Sequence, residues 1–126
     1  MKVIIAGSRE ITDYGFVAAV IKRSGFDITE VVSGTAHGVD RLGEQWAVQN
    51  NVPIKYMPPD WNLHGKAAGP IRNKEMAEYA DAAVIVWNGE SAGTKNMLEN
   101  MQRLGKPYFL DIKTGGDVVL NFKVPQ

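Results

Sequence analysis

The chain contains no cysteine. Disulfides, a redox dithiol, a thiol nucleophile and thiolate-bound zinc are therefore excluded, and a reducing compartment is the natural setting. Net charge is missing as well. Fourteen basic residues are offset by fourteen acidic ones, so the field that draws a protein onto a nucleic-acid backbone or an anionic membrane is absent. Neither nucleic acid nor membrane is an expected partner. No long hydrophobic run opens the sequence: the apolar stretch 3–6 is cut by Gly7, too short for a signal-peptide core or a bilayer span. A cytoplasmic protein is expected. His37 and His64 are the two histidines, without metal-ligand spacing around them, so no metal site is expected.

What remains is a chain of 126 residues, 44% of them apolar, enough to build one core without staples. Residues 3–6 read as a strand covered on both faces, closed by Gly7-Ser8-Arg9. Thr12 or Asp13 caps a helix carrying Phe16, Val17, Val20 and Ile21, and Gly25 stops it. A second strand is expected over 28–32, a small-residue turn over 33–40, and a helix bearing Leu42, Trp46 and Ala47 up to Asn50-Asn51. The third strand covers 53–57, and 58–70 reads as a loop long enough to suggest function. A helix over 71–80, a strand over 82–87, a helix over 95–104 and a strand over 108–112 follow. Residues 118–124 suggest an extra strand or an arm. About five strands alternating with four helices predict a single Rossmann-like, three-layer α/β domain over 1–126, with its core in 1–112 and the arm in 113–126. Its ligands should collect at the carboxyl ends of the strands.

The residues able to carry chemistry lie on those strand-end turns. Gly7-Ser8-Arg9 puts a residue without a side chain beside a hydroxyl and a guanidinium, a combination suited to clamping a phosphate, and an ordinary strand-to-helix turn explains it too. Ser33 and Gly34 offer backbone amides near a helix start, while Asp40 either accepts from sugar hydroxyls or simply complements the helix dipole. Gly89, Ser91, Gly93 and Thr94 approach a helix N-terminus, where unpaired N–H groups favour an anion or Ser91 or Thr94 merely caps the helix. Arg72 and Asn73 open another helix, where a cation opposes the dipole and invites a compensating ligand. Trp61 and Trp87 flank such loops and can stack on a base or join the core, whereas Trp46 is expected in the core or an interface. Neither G-x-G-x-x-G nor a Walker A sequence is present.

Four spaced elements together resemble the SLOG superfamily, and within it the small YspA-like proteins. They are Ile5-Ala6-Gly7-Ser8-Arg9, Ser33-Gly34-x-Ala36-x-Gly38-Val39-Asp40, Ala68-Gly69-Pro70-x-Arg72-Asn73-x-x-Met76, and the stretch from Ala80-Asp81 through Trp87-x-Gly89-x-Ser91-x-Gly93-Thr94. The resemblance implies a Rossmann-like domain whose strand-end loops hold a nucleotide or a derivative such as ADP-ribose or a cyclic nucleotide. It also implies a homodimer or larger assembly, and a bacterial or phage setting. No cofactor is required beyond that ligand. Ser33 to Asp40 also looks like the loop of the DNA-binding DprA branch.

The related Lonely Guy phosphoribohydrolases use an arginine, which Arg72 matches, together with a glutamate in a glycine-rich motif. Met97 occupies the glutamate place, and Ser91-Ala92 replaces the paired glycines. A thioether can neither transfer a proton nor stabilise an oxocarbenium charge, and Glu99, about 200° around an ideal helix, faces elsewhere. The resemblance therefore implies a retained ligand cradle without that hydrolysis. An enzyme using Arg72 with Asp40, Glu44 or Glu90 is the alternative.

Overall fold

The structure, a computed structural model, describes residues 1–113 and the backbone of 119–124. Six strands form one sheet: β1 (Lys2–Gly7), β2 (Glu30–Ser33), β3 (Ile54–Tyr56), β4 (Ala82–Trp87), β5 (Tyr108–Lys113) and β6 (Val119–Val124). Their order is β3-β2-β1-β4-β5-β6. The first five are parallel, and β6 pairs antiparallel with β5. The extra-strand alternative for the C-terminal segment is thus the one realised, while 114–118 and 125–126 lie outside the described residues.

The alternation of side chains along each strand divides the core into two layers. Val3, Ile5, Val31, Val84 and Val86 meet Val17, Val20 and Ile21 of α1 (Tyr14–Ser24) and Val39 and Ala47 of α2 (Val39–Gln49). Ile4, Ala6, Val32, Ala83 and Ile85 meet Met76 and Ala77 of α4 (Ala68–Tyr79) and Met97, Leu98 and Met101 of α5 (Ala92–Leu104). β1 and β4 are buried on both faces because both layers need them. The chain winds from β1 outward to β3, then returns to lay β4 on the other side of β1. This reversal opens a crevice at the strand ends. Trp46 packs against the first layer.

Helix α1 follows the expected chemistry: the Asp13 carboxylate accepts from the Phe16 amide at 3.1 Å, and Gly25 ends the helix in the left-handed region. Three expectations need correction. Residues 58–70 are not an open loop, because Asp60 caps a short helix, α3 (Trp61–His64), and a 3-10 turn over Gly65–Ala67 leads directly into α4. Helices α4 and α5 also begin three residues earlier than the spacing predicts. Arg72 therefore lies beyond the first turn of α4, where opposition to the dipole is weaker. The second strand is shifted to Glu30–Ser33. No helix among the described residues is long and apolar enough to cross a membrane.

Candidate functional site

Because β1 to β5 run in the same direction, their carboxyl ends share one rim. A cavity of about 430 Å³ opens there, a size that suits a small-molecule ligand. It is lined by the end of β1, the β2–α2 loop, the residues after β3, one face of α4 and the start of α5. Its charged lining is asymmetric. Arg9, Arg41 and Arg72 contribute three guanidinium groups, and Asp40 is the one carboxylate.

Gly34 makes the centre of this arrangement possible. A Cβ there would fall 2.6 Å from an Arg72 guanidinium nitrogen and 2.9 Å from Asp40 Oδ2, so any side chain would displace the charged groups. The bare backbone instead lets Arg72 Nη1 donate to the Gly34 carbonyl, while its Nε donates to Asn73 Oδ1 at 3.0 Å. Asn73 Nδ2 donates to the Gly93 carbonyl at 3.2 Å and to Asn96 Oδ1 at 3.1 Å. The pair thereby ties α4 to both the β2–α2 loop and the start of α5.

The Ser33–Asp40 segment is held from below and from the side. Ser33 Oγ donates to Glu44 Oε2 at 2.6 Å and accepts from the Thr35 amide at 3.1 Å, and Asp40 Oδ2 accepts from the Ala36 amide at 3.1 Å. Between these anchors Thr35 sits at φ 66° on the cavity lining. That is a costly conformation for a β-branched residue and persists only where its surroundings impose it. Burial pushes the Asp40 carboxyl up to about 6, although the Ala36 amide and Arg72 favour its charged form. Burial also lowers Arg72 from its ordinary value, with Asp40 opposing the shift. A guanidinium nevertheless stays protonated at neutral pH.

Ser91 caps α5: its Oγ accepts from the Thr94 amide at 3.3 Å and from Thr94 Oγ1 at 3.0 Å. Thr94 has thus spent its donors on the cap, and the earlier amides of that turn have no intrahelical acceptor. Gly93 borders the cavity, and a Cβ added to it would meet nothing within 4 Å.

Of the residues singled out in the sequence, Gly7, Arg9, Gly34, Asp40, Arg72, Asn73, Ser91, Gly93 and Thr94 share this cavity. Arg9, Arg72 and Thr94, drawn from three different segments, therefore lie on the same side of the molecule. Four others stand outside the lining. Ser8 is buried, with its Oγ accepting from the Asn88 amide at 2.9 Å. Ser33 is committed to the anchoring just described. Trp87 donates its indole N–H to the Ser91 carbonyl at 3.1 Å, and Gly89 sits at the turn with φ 86°. These residues shape the strand ends rather than the cavity surface. Gly7 does both: a Cβ there would lie 1.9 Å from the Val86 carbonyl oxygen, so β1 and β4 can meet only around a glycine.

The lining also contains Thr35, His37, Arg41, Pro59, Trp61 and Met97. Arg41 and Thr35 carry no motif that marks them in advance. Trp61, which the sequence offers as a base-stacking or core residue, lies on the short helix α3, and His37 stands out only as a loop residue of chemically useful type. Among the described residues no group of three His, Cys, Asp or Glu side chains could hold a metal ion.

A sequence model of the YspA, cpYpsA-related SLOG family matches residues 1–64. The Gene 61 protein of Mycobacterium phage D29 is 34% identical over 116 residues, spanning 84% of this chain and 92% of that relative. The X-ray structure of DNA processing protein A (DprA) from Streptococcus pneumoniae superposes with a TM-score of 0.73 at 20% identity, over 92% of this chain. The chain spans about half of that structure, 52% of its length, and the likeness is one of fold.

Proposed function

Since the chain belongs to the YspA, cpYpsA-related SLOG family, we propose that it binds a nucleotide or nucleotide-derived anion, of ADP-ribose or cyclic-nucleotide type, as a sensor or sequestering protein. The observation that carries this reading is the gathering of three arginines around a single cavity in a chain of zero net charge. Asp40 is the lining carboxylate facing Arg72, and Glu44, outside the lining, is paired with Arg41 at 3.3 Å, which leaves Arg9, among the described residues, as the lining arginine that faces no carboxylate. Cations concentrated in a concave, partly desolvated place favour a small anion without attracting every polyanion. The N-terminus of α5 adds its dipole at the same cavity. Nucleoside phosphates, ADP-ribose and cyclic nucleotides should raise the melting temperature increasingly with concentration. Arg72→Ala should abolish that rise. A melting temperature indifferent to the whole panel would remove the reading.

One observation favours a second, enzymatic reading. Asp40 is a cavity carboxyl held at about 6, suited to proton transfer near neutrality. Glu44 is engaged by Ser33 and Arg41, and Glu90 is exposed outside the lining. Hydrolysis of a nucleotide N-glycosidic bond would then rest on Asp40 and Arg72. Chromatography for free base after prolonged incubation decides: release that vanishes in Asp40→Asn supports turnover, and intact nucleotide leaves binding alone.

A further inference from the structure

We propose that Trp61 forms a base-stacking wall of this cavity, so that the ligand carries a planar heteroaromatic ring and is not a bare sugar phosphate or inorganic polyphosphate. The inference rests on the anion-binding reading and adds the part of the ligand that the arginines do not address. Trp61 lines the cavity, yet it is 59% exposed. The other two tryptophans are placed differently, Trp46 against the core and Trp87 against the Ser91 carbonyl. A large indole left in water at the mouth of a charged cavity has apolar area to cover, and a flat ring covers it best.

The backbone that carries the indole is held in place. Asp60 Oδ1 accepts from the Leu63 amide at 3.0 Å, and the Gly65 amide donates to the Trp61 carbonyl, closing the short turn that carries the ring. At Gly69 an added Cβ would come within 3.9 Å of Trp61 Cη2, so the ring edge rests over the first turn of α4. Pro59 borders the cavity beside it.

Position supplies the remaining step. Trp61 follows β3, whereas Gly93 and Thr94 follow β4, and three strand intervals separate those strands in the sheet. On α4 the indole edge rests beside Gly69, and Asn73, one turn further on, donates to the Gly93 carbonyl. A base against Trp61 and a phosphate beside Gly93 would thus lie on successive turns of one helix, about 6 Å along its axis, a separation that a base joined through a sugar to a phosphate spans and a lone phosphate does not. Base stacking on an aromatic side chain tolerates any base, so the wall selects for the presence of a base and leaves its identity to other contacts.

The test compares adenosine and guanosine 5′-monophosphates, their 3′,5′-cyclic forms and ADP-ribose with ribose 5-phosphate and pyrophosphate, by calorimetry on the full chain and on Trp61→Ala and Trp61→Phe. The base-bearing probes should bind about tenfold or more tighter than the baseless ones, an advantage lost in Trp61→Ala and largely kept in Trp61→Phe. Indole fluorescence should be quenched by the base-bearing probes in the wild type and not in Trp61→Phe. Because Trp61 is exposed, both variants should keep the wild-type melting temperature. Equal binding of both probe classes, or an equal loss for both in Trp61→Ala, overturns the stacking wall while leaving anion binding intact. Failure of every probe to bind the wild type overturns both.

Discussion

At the residue scale, Asp40 combines burial, a hydrogen bond from the Ala36 amide and the nearby positive charge of Arg72. Burial dominates, and the carboxyl keeps its proton up to about 6 instead of releasing it near 3.8. The folded protein thus binds more protons than the unfolded chain between those values, so stability is greatest below the window and falls as pH rises through it. The expected loss attributable to Asp40 is about 3 kcal/mol. Denaturant titrations from pH 4 to pH 8 should show this decline in the wild type relative to Asp40→Asn, whose amide keeps an acceptor for Ala36. Asp111, also raised chiefly by burial, contributes the same slope to both proteins and cancels in the comparison. Parallel curves would mean that Asp40 is ionised throughout. The sequence makes Asp40 and Arg72 legible as chemical groups of one rim, but not the close packing that brings them together. That depends on Gly34, whose missing side chain leaves room for both, and on parallel strands bringing the loop after β2 against α4. Arg41 and Thr35 were illegible because surface helix arginines and loop threonines are ordinary until a fold turns them toward a cavity.

At the scale of elements, strand positions and helix faces were readable because burial on two faces imposes continuous apolar runs, and burial on one imposes helical spacing. Helix starts were not. Ala68-Gly69-Pro70 and Ala92-Gly93-Thr94 look like turns, yet first-turn amides have no intrahelical acceptor, so proline costs little there and glycine costs mainly entropy. The early start of α5 matters for the site, because it puts Gly93 inside the first turn with open space where a side chain would go. Two substitutions two residues apart should therefore act in opposite directions. Gly93→Leu should keep or raise the melting temperature, since leucine is the better helix former by up to about 1 kcal/mol, while its side chain fills the cavity and suppresses ligand-induced stabilisation. Ser91→Ala removes the cap and should cost about 1 kcal/mol, a drop of roughly 4 °C, with weaker binding only as the turn frays. Differential scanning fluorimetry with and without nucleotide checks both. Unaltered ligand response in Gly93→Leu would dissociate the start of α5 from the binding surface.

At the scale of the whole molecule, neutrality and a cationic cavity are complementary properties. The acidic residues that cancel the basic ones are distributed outside the cavity, except for Asp40. A ligand small enough to enter meets three guanidinium groups, while a long polyanion meets a surface of mixed sign that neutralises few of its phosphates and so releases few of its counterions. The cavity also joins the molecule's two layers. Asp40 and Arg41 stand on α2, on one face of the sheet, and Arg72 and Gly93 on α4 and α5, on the other. An anion shared among them would be bound only by the folded arrangement, so under the proposed reading its binding energy would add to the stability of the whole domain. Binding of a cyclic nucleotide, whose phosphodiester does not titrate near neutrality, should weaken only modestly when salt rises from 50 to 200 mM, roughly as expected for one neutralised phosphate. A single-stranded oligonucleotide at the same phosphate concentration should not displace it, because acidic and basic residues balance over the chain as a whole and leave no net field to hold a polyanion. Fluorescence competition at both salt concentrations measures the two effects together. Efficient displacement with a steep salt slope would mean that the arginines belong to an extended polyanion track rather than to an enclosed site for one small ligand.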